Sequence, residues 1–496
     1  MTLMKSLLLG SAAGIVGIAS AQAADLPTRK GAPAAEYVRI CSISVNGTPV
    51  VGWTLPGSDT CFKLTGYVTG QIGGGNIKDG QLLAYGPGAS IPLSNGLGPI
   101  LVPTGMQVTT PTRGLEAAGS TGRPDFGWNT RLNFGFDAVS NTAYGPLTAH
   151  AEMQFENSNG FGNDVSNPLG GSAAYLNLAY VTWAGITAGK APSFYSFTGG
   201  GAGWYNFFSP DQQGFNQPDL LAYTAAFGGG FSATIAAQSP GSNGGSGGGT
   251  DQNGVSGNQY DGLGRGFDYQ YNGQSIPDFV ANLKVVQGWG SAQISGVGHY
   301  VDVTGFNGLE QRVEGWGIDA GVSFNIPQFG VGDKFLVTGT YTQNAAWYSG
   351  FPDAMFGELG AVSGNGQQMA IADTYENPSG NSFARPDMWT VSAEFDHHFS
   401  PQFVGSLEGS YGQVRWQNTD FSSVVSNSNS WLAGVVAHWF PMGNSSLDFE
   451  FETLYMNSQT QTPNGFIAGA PGSGFNTTFQ GRGDGFESRF EVTRNW

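Results

Sequence analysis

The stretch Ala149-His150-Ala151-Glu152-Met153-Gln154-Phe155-Glu156 decides the fold. Apolar residues alternate one by one with His, Glu and Gln. In a strand successive side chains point to opposite faces, so this stretch has one apolar and one polar face. The pattern recurs along the chain. Leu132, Phe134 and Phe136 alternate with Arg131, Asn133 and Asp137. Ile318, Ala320, Val322 and Phe324 alternate with Asp319, Ser323 and Asn325. Trp389, Val391, Ala393 and Phe395 alternate with Thr390, Ser392, Glu394 and Asp396. Leu447, Phe449, Phe451 and Tyr455 face away from Asp448, Glu450 and Glu452. No amphipathic helix follows the N-terminal segment.

Composition supports an all-β reading. Gly makes up 80 of 496 residues, charged residues 11% and aromatics 13%. Ordinary soluble domains carry about 25% charged residues. So few charges build a poor soluble surface, and so many rings exclude a disordered chain. A mean hydropathy of -0.16 excludes a bundle of membrane helices. The net charge of -17 argues against a nucleic-acid partner, which needs a basic surface. No cofactor is implied. The five histidines (His150, His299, His397, His398 and His438) and two cysteines show no metal-ligand spacing, so no metal site is expected.

Lys5, the small apolar run 7–19 and Ala21-Gln22-Ala23 read as a cleaved signal peptide over residues 1–23. Export places Cys41 and Cys61 in an oxidising compartment, which favours a disulfide between them over two buried thiols. Residues 24–60 then form a periplasmic N-terminal segment and 61–496 the β domain.

Sixteen strands are predicted, at 61–73, 125–139, 145–157, 173–183, 185–190, 220–227, 231–238, 279–287, 290–301, 313–325, 334–347, 388–397, 402–416, 431–440, 447–458 and 485–496. Connections after odd strands are long and those after even strands short. Strict alternation of this kind predicts a transmembrane antiparallel barrel with short periplasmic turns and long extracellular loops. A closed barrel pairs every backbone polar group, as lipid demands. Tyr144, Tyr300, Trp347, Trp389, Trp439 and Tyr455 near strand ends are candidates for interfacial girdles.

Three stretches carry a family resemblance. Glu36-Tyr37-Val38-Arg39-Ile40-Cys41 is followed by Thr60-Cys61-Phe62-Lys63-Leu64-Thr65-Gly66-Tyr67-Val68. Trp183-Ala184-Gly185-Ile186-Thr187-Ala188-Gly189-Lys190-Ala191-Pro192-Ser193-Phe194 precedes the third long connection. Phe490-Glu491-Val492-Thr493-Arg494-Asn495-Trp496 closes the chain. Together they resemble the general porins of alphaproteobacteria of the rhizobial type. The resemblance implies a homotrimer in outer-membrane lipid and lipopolysaccharide, passing small hydrophilic solutes and ions by diffusion. It also implies that the third connection, about 191–219, folds inward. The loops here, notably 74–124 and 239–277, are long for that family.

Strand parity places Lys63, Arg131 and Arg489 on the inner face of neighbouring strands, a basic wall. Asp211 and Asp219 are expected to face it, giving a transverse field. His150, Glu152, Glu156, Glu450 and Glu452 share the inward parity. Excess negative charge makes cation preference the default. A substrate-specific channel for sugars is the second reading, with Tyr195, Trp204 and Tyr205 as a stacking path. A surface adhesin is a third. A hydrolase would need a nucleophile and base that no G-x-S-x-G elbow supplies.

Overall fold

The computed structural model describes residues 39–45, 47–55, 57–75, 81–83, 90–91, 100–101, 108–110, 126–159, 171–198, 217–239, 270–271, 275–304, 309–350, 373–376, 382–418, 427–460, 467–468, 477–478 and 482–496. Sixteen strands close an antiparallel barrel. They are β1 (Cys61–Gly75), β2 (Phe126–Thr142), β3 (Gly145–Asn159), β4 (Gly171–Trp183), β5 (Ile186–Lys190), β6 (Asp219–Gly228), β7 (Phe231–Gln238) and β8 (Asp278–Gln287). The circuit continues through β9 (Gly290–Thr304), β10 (Glu310–Asn325), β11 (Lys334–Gln343), β12 (Phe383–Ser400), β13 (Phe403–Gln417), β14 (Ser428–Trp439), β15 (Leu447–Thr460) and β16 (Arg482–Asn495). Each strand pairs with the next, and β16 returns to β1 from Glu487↔Gly75 to Asn495↔Tyr67. The Trp496 N–H also donates to the Gly66 carbonyl at 3.0 Å.

Short and long connections alternate as expected except after β9, where residues 305–309 make a link shorter than the turn 326–333. A two-residue turn joins β6 to β7, with Gly228, Gly229 and Gly230 at φ 85°, 61° and 84°. Three consecutive left-handed residues are tolerable only without a Cβ. Strand ends differ from expectation by a few residues at most sites, and the connection between β9 and β10 shrinks because both strands run further out. The larger difference is at β11. It stops at Gln343, Asn344 takes φ 49°, and Ala346–Ser349 form a 3-10 turn. Trp347 therefore does not end a strand.

Two aromatic belts mark the outer surface. One runs Trp316–Tyr341, Trp389–Tyr411 and Trp431–Tyr455, with ring centroids 5.5, 5.2 and 5.4 Å apart. Strand register joins these pairs, because Tyr341 lies opposite Trp389 and Tyr411 opposite Trp431. The second belt, at the short-turn end, includes Tyr144–Trp183, Trp289–Phe324 and Phe403–Trp439–Phe449. Phe403 and Tyr411 stand at the two levels on β13, roughly 27 Å apart along the strand. A tilt of ~45° turns this into ~19 Å of height. Between the belts, the outward positions of β13 and β14 are Gly405, Leu407, Gly409, Ala433, Val435 and Ala437, without a charge. Such a band meets hydrocarbon at no electrostatic cost.

Residues before β1 form a hairpin that the sequence reading did not anticipate, Arg39–Val45 with Thr48–Thr54. It extends the β1 edge through Trp53↔Phe62 and Thr54↔Cys61. The Cys41–Cys61 disulfide fastens it there, beneath Val139 and Ile43.

Candidate functional site

Inward side chains of β1 to β4 form a polar network. The His150 ring spans Asp137 Oδ1 at 2.7 Å and Glu152 Oε1 at 3.2 Å. The amides of Asn133 and Asn177 donate to Glu152 Oε2 at 3.3 and 3.0 Å. Arg131 Nε forms an ion pair with Glu156, which also accepts from Gln154 Nε2 at 2.5 Å. Each cation of the expected basic wall faces a carboxylate: Lys63 lies opposite Asp137 in register, Arg131 opposite Glu156 and Arg489 opposite Glu452. Arg131 and Arg489 stand at different levels of β1, opposite Thr69 and Gly73.

From β12 to β16 the inner wall turns acidic. Glu394 lies opposite Glu408, His438 opposite Glu450, and Glu450 opposite Glu491. Asp396, Asp448 and Glu452 have the same inward parity. Among the described residues, Arg489 is the one Lys or Arg with that parity on these five strands.

The third connection folds inward over its described part, residues 191–198. Side chains of the facing wall hold its backbone carbonyls. Asn282 Nδ2 donates to Phe194 O at 2.8 Å, Gln293 Nε2 to Tyr195 O and Ser196 O at 3.2 and 3.0 Å, and Ser295 Oγ to Tyr195 O at 2.5 Å. The Tyr195 hydroxyl donates to Thr340 Oγ1 at 2.5 Å, because the Thr340 hydroxyl itself donates to backbone carbonyls. Room comes from glycines on the inner face of β10. A Cβ at Gly321 would strike the Phe197 ring, and one at Gly317 would stand 3.0 Å from the Tyr195 hydroxyl.

A second inward segment, residues 344–350 with Asp373 and Thr374, packs beside the first. It fills the wall at Gly315, where a Cβ would strike the Asn344 carbonyl. Tyr348 is fully buried, with its ring 5.0 Å from that of Tyr195. Its hydroxyl accepts from Gln238 Nε2 at 3.0 Å and donates to Asp278 Oδ2 at 2.5 Å. Burial, and then the Asp278 carboxylate, push that hydroxyl well above its ordinary 10. The His299 ring sits between carboxylates, Nδ1 2.9 Å from Asp278 and Nε2 2.9 Å from Asp373. Burial raises the Asp373 carboxyl above its ordinary 3.8 despite the opposing pull of His299. Asn344 Nδ2 and the Ala346 N–H tie the segment to the Asp373 carbonyl and carboxylate.

Of the residues expected from sequence, the structure joins His150 to Glu152 in one hydrogen-bonded group and Arg131 to Glu156 in a second. Tyr195 lies 0% exposed against the wall, so its ring has no face open to a passing solute. Asp219 opens β6 with the outward parity of Leu221 and Tyr223, opposite Lys190, and so does not face Arg131. Trp204, Tyr205 and Asp211 fall outside the described residues. Sequence reasoning missed Tyr348, Asp373, His299 and Asp278. The usable signal was apolar residues with inward parity: Leu220, Ala222, Ala236, Val280 and Val297 form one cluster with Tyr195 and Tyr348. A wetted wall has no reason to carry such a patch unless chain covers it.

Comparison with known proteins places this architecture. A family model described as a porin subfamily matches residues 25–484. The porin Omp2b of Brucella canis is 28% identical over 455 residues, covering 87% of this chain and 98% of that one. Omp2b of Brucella suis is 27% identical over 453 residues, with the same coverage. The outer-membrane channel DcaP of Acinetobacter baumannii has the same fold, with a TM-score of 0.51 at 12% identity, covering 88% of this chain and 97% of that one. A closed barrel with an apolar outer face, a polar inner wall and loops folded within agrees with this match, and the chain belongs to the porin subfamily, the diffusion channels of the bacterial outer membrane.

Proposed function

We propose that this porin passes small hydrophilic solutes and ions without a dedicated sugar site, prefers cations, and works as a homotrimer embedded in outer-membrane lipid and lipopolysaccharide. The acidic wall carries the selectivity. Glu394, Asp396, Glu408, Asp448, Glu450, Glu452 and Glu491 face inward on β12 to β16 against Arg489. Fixed charge of one sign in a confined pore concentrates counter-ions and repels co-ions. The two inward loop segments narrow the lumen along β7 to β11, on the side away from most of these carboxylates. Solutes and ions therefore pass along the acidic side. Burial of Tyr195 argues against a stacking path for sugars.

The trimer reading rests on the low wall. Strands β5 to β8 have 5, 10, 8 and 10 residues. Their outer faces expose Leu221, Tyr223, Ile235, Phe279 and Leu283. Neighbouring subunits cover what these strands leave short of the bilayer. Reversal potentials across a bilayer under a tenfold KCl gradient test the selectivity. The expected sign is that of K+ permeation, and replacing Asp396 with Asn and Glu491 with Gln reduces it. A reversal potential of the Cl- sign contradicts the reading.

A further inference from the structure

We propose that His438, Asp448 and Glu450 form a binding site for a divalent transition-metal ion of the zinc class, on the inner wall near the short-turn end. His438 is the penultimate residue of β14 and Asp448 the second of β15, so one short turn, 440–446, fixes their separation. Glu450 lies directly opposite His438 in register. His438 Nδ1 is 2.9 Å from Asp448 Oδ2 and 3.8 Å from Glu450 Oε2. One ligand atom from each residue lies within 4.8 Å of the others. Tetrahedral zinc with bonds of about 2.0–2.2 Å sets its donors roughly 3.3–3.5 Å apart. The observed spacings bracket that value, so modest side-chain rotation closes the site.

A second observation points to a cation. Asp448 is only 6% exposed, and among the described residues its Oδ1 has no hydrogen-bond partner. A buried carboxylate oxygen without a donor is costly, and a bound cation removes the cost. The site is also oriented in advance. The His438 ring stacks on Phe440 at 5.6 Å with an interplanar angle of 1°, which holds the nitrogen toward the carboxylates. Without the ion the Nδ1–H donates to Asp448; the ion takes that proton's place.

The donor set selects the ion. Imidazole favours zinc, copper and nickel over magnesium and calcium, which prefer all-oxygen cages. Three protein donors leave a position for water, so the ion exchanges with the lumen. Glu491 opposite Glu450, and Glu452 beyond it, add negative charge that favours a dication. Residue spacing carried no hint of the site, because the histidine and first carboxylate lie 10 residues apart across a hairpin, not at helical or zinc-finger spacing. An ion here neutralises part of the acidic wall, making cation passage sensitive to zinc.

Calorimetric titration of the full chain in detergent with ZnCl2 tests binding without assuming conduction. One saturable site per chain is expected, with affinity reduced about 100-fold or more by His438→Ala and about 10- to 100-fold by Asp448→Asn. Cobalt(II) should give d–d absorption bands that His438→Ala abolishes, and MgCl2 should not compete. Should His438→Ala fail to fold, the near-isosteric Asp448→Asn and the cobalt spectrum of the unaltered chain decide. Absence of saturable binding, unchanged zinc affinity in the folded variants, or equal competition by magnesium overturns the proposal.

Discussion

Tyr348 concentrates several links on one hydroxyl, which joins Gln238 of β7 to Asp278 of β8 and anchors the second inward segment. Tyr348→Phe removes one hydrogen bond from each of two buried partners, Gln238 Nε2 and Asp278 Oδ2, so it should cost about 1–3 kcal/mol in denaturant unfolding. The hydroxyl is held well above its ordinary 10 by burial and by Asp278. A group whose pKa is raised on folding contributes fully below its unfolded value and loses that contribution as pH rises through the folded one. Docking of the segment therefore weakens only in strong alkali, and Tyr348→Phe should remove that alkaline transition. Asp333 gives the opposite sign. Burial alone would raise its carboxyl, but the His398 backbone N–H at 2.8 Å and the His397 ring at 2.6 Å hold it below its ordinary 3.8. Its contribution is present above that value and is lost as pH falls through the lowered one. Thermal unfolding should separate the unaltered chain from Asp333→Asn at neutral pH, and the gap should close as the pH falls through the lowered value.

At the scale of elements, the strands were legible and one loop was not. The alternation of Ala149 to Glu156 and its repeats located all sixteen strands, because lipid on one side and polar lumen on the other enforce a period of two. The same rule misjudged the end of β11. Tyr341, Thr342 and Gln343 continue the pattern, and nothing in it marks Asn344, whose φ of 49° turns the chain inward. The hairpin at Arg39–Val45 and Thr48–Thr54 escaped notice because Gly47, Pro49, Pro56 and Gly57 read as a loop between the cysteines, although Cys41-Ser42-Ile43-Ser44-Val45 alternates. Site residues were partly legible. Parity identified the inward charges on β1 to β4, but not which carboxylate each would meet, since pairing depends on cross-strand register. Gly315, Gly317 and Gly321 looked like ordinary strand glycines, yet they make the groove that both inward segments occupy. Gly321→Leu should push Phe197 off the wall, cost about 1–3 kcal/mol, and lower single-channel conductance as the loop moves into the lumen. Unchanged conductance and stability would show that Phe197 does not rest there.

At the scale of the whole molecule, side chains are sorted by the solvent they meet. The chain carries few charges for its size, 11% of residues, because its outer face meets hydrocarbon. On the described strands the charges lie on the inner wall or, facing outward, toward strand ends, as Lys190 and Asp219 do. Both signs interleave from β1 to β4, and carboxylates dominate from β12 to β16. The apolar patch of Leu220, Ala222, Ala236, Val280 and Val297 on the inner wall is covered by two loop segments. What remains is a passage lined by hydrated polar groups, open to solutes on the basis of size and charge. Planar-bilayer recording with the purified full chain tests this most directly. The account predicts stable conductance steps that scale linearly with KCl concentration and are not blocked saturably by any single sugar. Absence of steps, or saturable block by one sugar, would contradict it.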